Sequence, residues 1–310
     1  GKAIREVYGE ALAKYGKDDE RIVALDADLS GSTKSAIFGK ACPERFLNVG
    51  IAESNMVGMA AGLASVGKIP FVNTFTVFLT TLGLCAARAF GSYSQLPIKF
   101  AGAYGGMSDA FDGPSHHALE DIAVMRSLAN MQVFVPCDAV QTEWLVKYAI
   151  DTPKPIYLRL SRDKFKDLYT SETEFAPGKG IVVREGTDIT VIACGLMVGN
   201  AIDAAEELAK EGISVRVVDM FSIKPIDEAL IVRCAEETGA IVSAEEHNIY
   251  GGLGSAVAEV LTKHGCGVTQ GFVGVNDCHG ECGPYKKLLA KYGLDANAIA
   301  NKVRETLSKK

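Results

Sequence analysis

One carboxylate, Glu53, lies among apolar and small residues where a short strand is followed by a helix. The continuation from Met59 to Gly67 is apolar or small on every face, which is typical of a buried helix rather than an amphipathic one. A carboxylate at the mouth of such a helix needs a partner, because burying it unpaired costs several kcal/mol or drives its protonation. Two interpretations stay open with equal weight: a capping acid at a helix N-terminus and an acid used in chemistry.

A glycine-rich loop over residues 103–117 carries a second group of titratable side chains. Asp112, His116 and His117 lie near its end, and the loop follows a predicted strand over residues 97–102. Loops that follow strands are where α/β proteins bind ligands. Two histidines beside an aspartate therefore favour a functional site over an ordinary surface loop.

Two aromatic residues, Phe75 and Phe78, lie three positions apart at the start of a helix predicted over residues 76–92. That spacing places both rings on one face of the helix. Most aromatic pairs of this kind belong to the core, and the residues alone favour that interpretation. A planar ligand stacked on the rings is the alternative, since the pair follows a strand end.

Two weaker motifs lie in the second half of the chain. Gly251-Gly252-Leu253-Gly254 precedes a helix, and a tight turn is favoured over an anion cradle because the dinucleotide spacing and the P-loop lysine are missing. His247 nearby is a further candidate for anion binding. Cys278-His279-Gly280-Glu281-Cys282 offers soft ligands, but a structural zinc site needs a second Cys/His pair, so we predict no metal site.

The composition is that of an ordinary globular protein, with 310 residues, 48% hydrophobic residues, 23% charged residues and a net charge of −6. The chain has no long basic run and no long apolar segment, which argues against nucleic acid and membrane partners. The eight cysteines are scattered, and without an export signal we expect free thiols and a cytoplasmic location.

Strand and helix patterns alternate along the chain, which predicts two consecutive three-layer α/β domains with mainly parallel sheets. Residues 163–186 are charged, lack a helical pattern and contain Pro177-Gly178. We therefore predict a first domain over residues 1–165, a linker over 166–186 and a smaller second domain over 187–310.

Several of these segments together resemble the transketolase family. The first half carries NVGIAESNMVGMAAGLA, NTFTVF, FDGPSHH and LRLSR, and the second half carries VVDMFSIKPID and HNIYGGLGSAV. The resemblance covers essentially the whole chain. It implies a thiamine-diphosphate pyrimidine-binding domain followed by the family's C-terminal domain.

The resemblance implies transfer of a two-carbon ketol unit from a ketose phosphate to an aldose phosphate, as in pentose phosphate metabolism, with thiamine diphosphate and Mg2+ as cofactors. The sequence lacks the Gly-Asp-Gly…Asn motif with which the family binds the diphosphate and the metal. The chain therefore resembles the C-terminal subunit of a split transketolase. Its implied partner is an N-terminal subunit that binds most of the Mg2+ shell, within a heterotetramer.

The resemblance also assigns the cofactor residues. Glu53 corresponds to the glutamate that hydrogen-bonds N1′ of the aminopyrimidine, and Phe75 and Phe78 correspond to aromatics that hold that ring. Asp28 and Ile51 correspond to other positions of the cofactor pocket. Glu53 is thereby expected to be catalytic.

The substrate residues follow in the same way. Arg5, Ser32 and Arg162 correspond to contacts with the sugar phosphate, and Asp112 corresponds to the residue that recognises the donor hydroxyl next to the carbonyl. His116 corresponds to a catalytic contact with the donor oxygens near C1. Three positions depart from the family pattern: Tyr104 replaces a phosphate-binding histidine, Thr81 an aromatic residue and Ser54 a common glutamine.

Two other functions stay open. The β subunit of a 2-oxo acid dehydrogenase E1 shares the two-domain layout and the glutamate, although FDGPSHH is not expected in its loop. A non-catalytic regulatory subunit that keeps the fold is the alternative from a different class. A deoxyxylulose-phosphate synthase is disfavoured, because that enzyme normally has all its domains in one chain.

Overall fold

The structure, a computed structural model, describes residues 2–310 and contains two α/β units. The elements of the first unit are α1 (Ile4–Asp18), β1 (Ile22–Asp26), α2 (Ser30–Thr33), α3 (Ser35–Ala41), a 3-10 turn (Pro43–Arg45), β2 (Phe46–Asn48), α4 (Glu53–Ser65), β3 (Ile69–Phe75), α5 (Thr76–Thr80), α6 (Leu84–Ala86), a π-helical turn (Ala87–Tyr93), β4 (Lys99–Ala103), α7 (Asp121–Ser127), β5 (Gln132–Phe134), α8 (Ala139–Asp151) and β6 (Ile156–Leu160).

The second unit repeats the alternation with shorter connections. Its elements are β7 (Ile181–Arg184), β8 (Ile189–Ala193), α9 (Leu196–Ala209), β9 (Val215–Asp219), β10 (Ser222–Lys224), α10 (Glu228–Thr238), β11 (Ala240–Asn248), α11 (Leu253–Lys263), β12 (Thr269–Val275), α12 (Tyr285–Lys291) and α13 (Ala296–Leu307). None of the helices in the described part of the chain has the length and apolar character needed to cross a bilayer.

The two sheets are mainly parallel, which confirms the predicted fold class. The larger sheet has the strand order β10-β5-β6-β4-β3-β1-β2, and only β10 runs antiparallel to its neighbour. The smaller sheet has the order β12-β11-β8-β9-β7, with β7 antiparallel to β9. Because β1, β2, β3, β4 and β6 are parallel, their carboxyl ends meet at one edge of the larger sheet.

The two units are joined by a shared sheet and a shared apolar core. β10 follows β9 of the second unit but pairs with β5 of the first, with Ser222 opposite Phe134. One apolar core cluster contains Val72 and Phe100 of the first unit together with Ile192 and Val257 of the second. β7 lies inside the range predicted as a linker and pairs with β9. The proposed domain limits at residues 165 and 187 stay a prediction.

The prediction of one continuous helix over residues 76–92 is wrong. The structure divides the segment into α5, α6 and the π-helical turn. The hydroxyl of Thr81 donates to the carbonyl of Val77 at 2.6 Å, and such bonds bend or end helices. A Cβ at Gly83 would lie 2.8 Å from the carbonyl oxygen of Leu79. This close approach is possible only for glycine.

A buried ion pair joins α7 to the centre of the larger sheet. Arg159 Nε donates to Asp121 Oδ2 at 2.7 Å, Arg159 Nη2 donates to Asp121 Oδ1 at 3.1 Å, and Tyr157 OH donates to Asp121 Oδ2 at 2.7 Å. Burial acts to raise the pKa of Asp121, but the guanidinium outweighs it and holds that pKa below its usual value. Both charges are therefore compensated inside the core.

Replacing Arg159 with methionine should destabilise the protein by about 3–5 kcal/mol, because it leaves the Asp121 carboxylate buried without a cation. The measurement is the urea midpoint of unfolding, compared with the double variant Arg159→Met/Asp121→Asn, which should recover part of the loss.

Arg216→Met is the matched control for that experiment. Arg216 also lies on a central strand, but its partners Glu185 and Glu237 keep 78% and 47% of their side-chain surface exposed. The Arg216→Met variant should lose less than about 1 kcal/mol of unfolding free energy. Equal losses for Arg159→Met and Arg216→Met would contradict the assigned importance of the buried pair.

Candidate active site

Glu53 is the first residue of α4, and only 4% of its surface is exposed. Thr74 Oγ1 donates to Glu53 Oε1 at 3.3 Å, and this is the one hydrogen bond that the Glu53 side chain makes within residues 2–310. The carboxylate does not accept from the first amides of α4 in that range, so the capping interpretation gains no support. A carboxylate has room for several donors, and Glu53 can therefore accept another from a ligand.

Phe75, Phe78 and His116 form an aromatic cluster. Phe75 follows Thr74 at the end of β3, and its ring centroid lies 5.9 Å from those of Phe78 and His116. His116 meets Phe78 edge-on at 5.3 Å, and its Nδ1 lies 3.0 Å from Ser115 Oγ. Phe75 is buried while Phe78 is half-buried, so Phe78 offers ring surface to a planar ligand.

Tyr104 closes the other side of the cluster. Its ring stacks on Phe75 with centroids 4.4 Å apart and an angle of 20° between the planes. The residue is buried and has φ of 64°, the left-handed region that few non-glycine residues adopt. That backbone conformation starts the loop after β4 and turns the ring toward Phe75. The departure from the family histidine therefore introduces a stacked phenol at this position.

Two guanidinium groups flank Tyr104. The Cζ atoms of Arg5 and Arg162 lie 5.0 and 5.4 Å from the ring centroid. Arg5 Nη1 donates to the Tyr104 hydroxyl and, at 2.9 Å, to the carbonyl oxygen of Ser32. The Ile4 amide donates to the Asp163 carbonyl at 3.2 Å, which ties the start of α1 to the end of β6. The structure therefore brings Arg5, the Ser32 carbonyl and Arg162 together around Tyr104, and their role in binding a sugar phosphate stays a prediction.

Asp109 is a buried partner of Arg162 that the sequence patterns do not single out. Arg162 Nη1 donates to Asp109 Oδ1 at 3.1 Å, while Asp109 Oδ2 has no partner within the described residues. Burial and the neighbouring Asp112 raise the pKa of Asp109 to about 6, although Arg162 acts to lower it. The spacing of two aspartates three positions apart on one loop is the local signal that could have pointed to it.

A second network holds Ser32 in place. The buried Asp26 carboxylate at the end of β1 accepts from the Leu29 amide at 2.6 Å and from the hydroxyls of Thr33 and Ser35, each at 2.7 Å. These bonds fold the turn that carries α2. Burial raises the pKa of Asp26 against these donors. The position of the Ser32 carbonyl beside Arg5 follows from this turn.

Asp28 and Ile51 lie at the same sheet edge but outside the aromatic cluster. Asp28 is exposed and accepts from Asn48 Nδ2 at 2.9 Å. Ile51 follows β2 with 82% of its surface exposed. Thr81 and Ser54 are also exposed. Neither Asp28 nor Ile51 makes a ring contact or side-chain hydrogen bond with Phe75 or Phe78 in residues 2–310.

The glycine turn before α11 is filled by the protein itself. The amides of Leu253 and Gly254 donate to the two oxygens of the buried Glu245 carboxylate at 2.7 and 2.8 Å. A Cβ at Gly252 would lie 2.0 Å from Glu245 Oε2, so glycine permits this approach. His247 Nδ1 lies 2.6 Å from the Asn248 carbonyl. These contacts favour the turn interpretation, because the Leu253 and Gly254 amides are already bonded to Glu245.

The described residues contain no group of three or more His, Cys, Asp or Glu side chains arranged to hold a metal ion. In that range Cys278 and Cys282 are exposed free thiols. The donor set of the site is instead one carboxylate, aromatic rings and two guanidiniums. Such a set suits a planar heterocycle with a protonated ring nitrogen next to an anionic substrate.

Fold and site together define a two-domain α/β subunit with a ligand site at the carboxyl ends of parallel strands. The family model described as "Transketolase, pyrimidine binding domain" matches residues 1–167, and the one described as "Transketolase, C-terminal domain" matches residues 178–299. The chain therefore belongs to the transketolase family. These matches confirm the resemblance that the sequence motifs indicate.

Two proteins that match this chain over nearly their whole length are described as a split-gene transketolase and a transketolase subunit. A solved structure described as a split-gene transketolase, an inactive β4 tetramer, is 48% identical with a TM-score of 0.91, and the match covers 99% of both chains. The 6-deoxy-6-sulfo-D-fructose transketolase subunit SqwH of Clostridium sp. strain MSTE9 is 39% identical over 99% of this chain and 95% of its own. Human transketolase is 40% identical, but the match covers only 49% of its length.

Sulfate should bind the Arg5–Arg162 pair more tightly as the pH falls from 8 to 5, because protonation of Asp109 near pH 6 releases Arg162 from its carboxylate partner. We expect about a three- to tenfold gain, equivalent to up to one pKa unit of coupling. Sulfate is the suitable probe because it does not titrate in this range. Isothermal titration calorimetry on the isolated chain measures the affinity at each pH.

The Asp109→Asn variant separates this effect from other titrating groups. It should bind sulfate at pH 8 about as tightly as the unaltered chain does at pH 5, and it should lose most of the pH dependence. Asp203→Asn, which changes an exposed partner of Lys166, is the control. An unchanged pH dependence in Asp109→Asn would assign the titration to a different group.

Proposed function

We propose that this chain is the C-terminal subunit of a thiamine-diphosphate-dependent split transketolase. Together with an N-terminal subunit it transfers a two-carbon ketol unit reversibly from a ketose phosphate to an aldose phosphate. The observation that carries the proposal is Glu53, a buried carboxylate with a single protein hydrogen bond, from Thr74, which is followed in the chain by the Phe75–Phe78 ring pair. This pairing fits an aminopyrimidine, which offers a ring nitrogen to the acid and a face to the ring.

Thiamine diphosphate, when bound, supplies the carbon nucleophile that cleaves the ketose and carries its two-carbon fragment. Glu53 would hold a proton at the pyrimidine ring nitrogen through a hydrogen bond. Phe75 and Phe78 exclude water from that hydrogen bond, which strengthens it. These side chains orient the cofactor and retain its proton, while the sugar is held by other residues.

The sugar-binding residues lie on the loop after β4 and at the ends of α1 and β6. Arg5 and Arg162 bind the phosphate through charge-assisted hydrogen bonds. His116, placed edge-on against Phe75 and Phe78, contacts the donor oxygens near C1. Asp112, exposed on the same loop, recognises the adjacent hydroxyl. The Asp28 carboxylate and the exposed Ile51 complete the cofactor pocket at the end where the partner subunit arrives.

Mg2+ and the diphosphate are held mainly by the N-terminal subunit in this proposal, in a heterotetramer with two copies of each chain. The matches to the family's pyrimidine-binding and C-terminal domains and the exposed apolar side chain of Ile51 support an incomplete site that a second surface completes. The similar β4 tetramer is described as inactive, which agrees with a need for the partner.

The isolated chain should show no ketol transfer with thiamine diphosphate, Mg2+ and a ketose phosphate, and addition of the N-terminal subunit should restore activity. The measurement is a coupled assay of aldose release, with the N-terminal subunit alone as control. Full activity of the isolated chain would overturn the split-subunit proposal. Decarboxylation of a 2-oxo acid by the complex, without ketol transfer, would assign it to the E1 β class.

Glu53→Gln should lower kcat/KM of the assembled complex about a thousandfold, equivalent to roughly 4 kcal/mol of transition-state stabilisation. Glutamine keeps the size of the side chain but cannot hold the ring proton as an anion. Glu44→Gln, at an exposed glutamate of the 3-10 turn, is the matched control and should leave activity unchanged. Full activity of Glu53→Gln would favour a non-catalytic subunit.

A further inference from the structure

The loop that carries Asp109, Asp112 and His116 is closed at its base. The Gly106 amide donates to the Ala118 carbonyl and the Ala118 amide donates to the Gly106 carbonyl, both at 3.0 Å. These two bonds bring the beginning and the end of the segment 106–118, here called the substrate loop, side by side. The loop has no regular helix or strand of its own. Its shape therefore depends on what it packs against.

The second unit supplies the nearest fixed group, the carboxylate of Glu246 on β11. Glu246 Oε1 accepts from the Met107 amide at 2.7 Å and from the Tyr285 hydroxyl of α12 at 3.0 Å. Only 4% of Glu246 is exposed. Burial raises the pKa of Glu246 to about 7, although Arg159 and the Met107 amide act to lower it. The residue is separated from Met107 by 139 positions.

Gly106 shows that the approach of this carboxylate is built into the loop. Its φ is 69°, and a Cβ at that position would lie 2.2 Å from Glu246 Cδ. A side chain at residue 106 would therefore collide with Glu246 as well as strain the backbone. The glycine makes room for one specific carboxylate from the other unit.

Apolar contacts and hydrogen bonds from Arg159 also hold the substrate loop. Met107, Ala110 and Leu119 belong to the core cluster formed by the second unit, with Val273 and Leu288 among its members. Arg159 Nη2 donates to the Ala118 carbonyl at 3.2 Å and to the Glu246 carbonyl at 2.9 Å. Both ends of the loop are thus bonded to Glu246 or to the guanidinium that contacts it.

The tip of the loop also rests on the second unit. The Gly283 amide donates to the Ala110 carbonyl at 3.0 Å. A Cβ at Gly280 would lie 2.4 Å from His117 Nδ1, so the segment between β12 and α12 packs directly on His117. The second unit therefore packs against the substrate loop and supports it.

We propose that Glu246 is a positioning residue, whose carboxylate fixes the substrate loop through the Met107 amide and thereby holds Asp109, Asp112 and His116 in place for the sugar substrate. This gives the second unit a part in substrate binding in addition to assembly. The structural half of the inference concerns the loop itself, and the substrate half rests on the proposed function. Glu246 does not contact the reacting atoms in this scheme.

Hydrogen–deuterium exchange of the chain tests the structural half without any assay of activity. Glu246→Ala should speed exchange of the amides in residues 105–118 by about ten- to a hundredfold, the range expected for loss of one hydrogen bond to a charged acceptor. Glu246→Gln keeps an acceptor oxygen and should stay within about threefold of the unaltered chain. Peptides from α9 and β8 report on the rest of the second unit.

Two further variants keep the test decisive if Glu246→Ala folds poorly. Glu246→Asp withdraws the carboxylate by one methylene and should also loosen the loop, whereas Tyr285→Phe removes the other donor to Oε1 and should leave residues 105–118 protected. Unchanged exchange in both Glu246→Ala and Glu246→Asp would overturn the proposal. If amide exchange were equally faster throughout the second unit, Glu246 would have a purely structural role, and this result would also overturn the proposal.

The complex with the N-terminal subunit tests the substrate half. Glu246→Ala should raise KM for the donor ketose about tenfold with the affinity for thiamine diphosphate unchanged, and Glu246→Gln should restore KM. A loosened loop with unaltered KM would overturn the substrate half alone. A complex that performs no ketol transfer with the unaltered chain would overturn the proposed function, while the exchange result still decides the structural half.

Discussion

The ion pair between Asp121 and Arg159 is the interaction on which the geometry of the site depends. It is buried at the place where α7, the larger sheet and β11 of the second unit meet. Its guanidinium also reaches the Ala118 carbonyl at the end of the substrate loop. A pair of charges in a protein core is stable only when every donor and acceptor is satisfied. The surrounding elements are therefore fixed relative to one another by the need to complete this network.

This network gives the second unit a direct connection to the chemistry of the first. The strand β10 extends the larger sheet, and a common apolar core spans the junction. The buried glutamates on β11 then have separate tasks, since Glu245 caps the start of α11 and Glu246 holds the substrate loop. Adjacent residues on a strand point to opposite faces. One strand therefore stabilises its own domain with one side chain and supports the neighbouring site with the next.

Local patterns in the sequence carry much of this structure, but contacts between distant segments do not leave such patterns. Alternating strands and helices predict the two mainly parallel sheets. The types and spacing of neighbouring residues single out Glu53, Phe75, Phe78 and His116 as candidate site residues. The stack of Tyr104 on Phe75 and the bond from Met107 to Glu246 join segments 29 and 139 positions apart, so no periodicity indicates them. The division of the helix after Phe75 depends on hydroxyl bonds within one turn, which compete with a pattern that is otherwise helical.

The two guanidiniums around Tyr104 are held by oxygen atoms of the protein itself. Arg5 is held by the Ser32 carbonyl and the Tyr104 hydroxyl, and Arg162 is held by the buried carboxylate of Asp109. In the proposed function, a sugar phosphate that binds Arg162 through Nη1 has to displace Asp109, whereas a neutral sugar offers no charge that compensates for breaking that bond. Under that proposal, selectivity for anionic sugars would come from the free-energy cost of opening the Asp109–Arg162 pair as well as from the attraction of two guanidiniums. A histidine at position 104 would add a third positive donor, while the phenol adds only a polar, uncharged one.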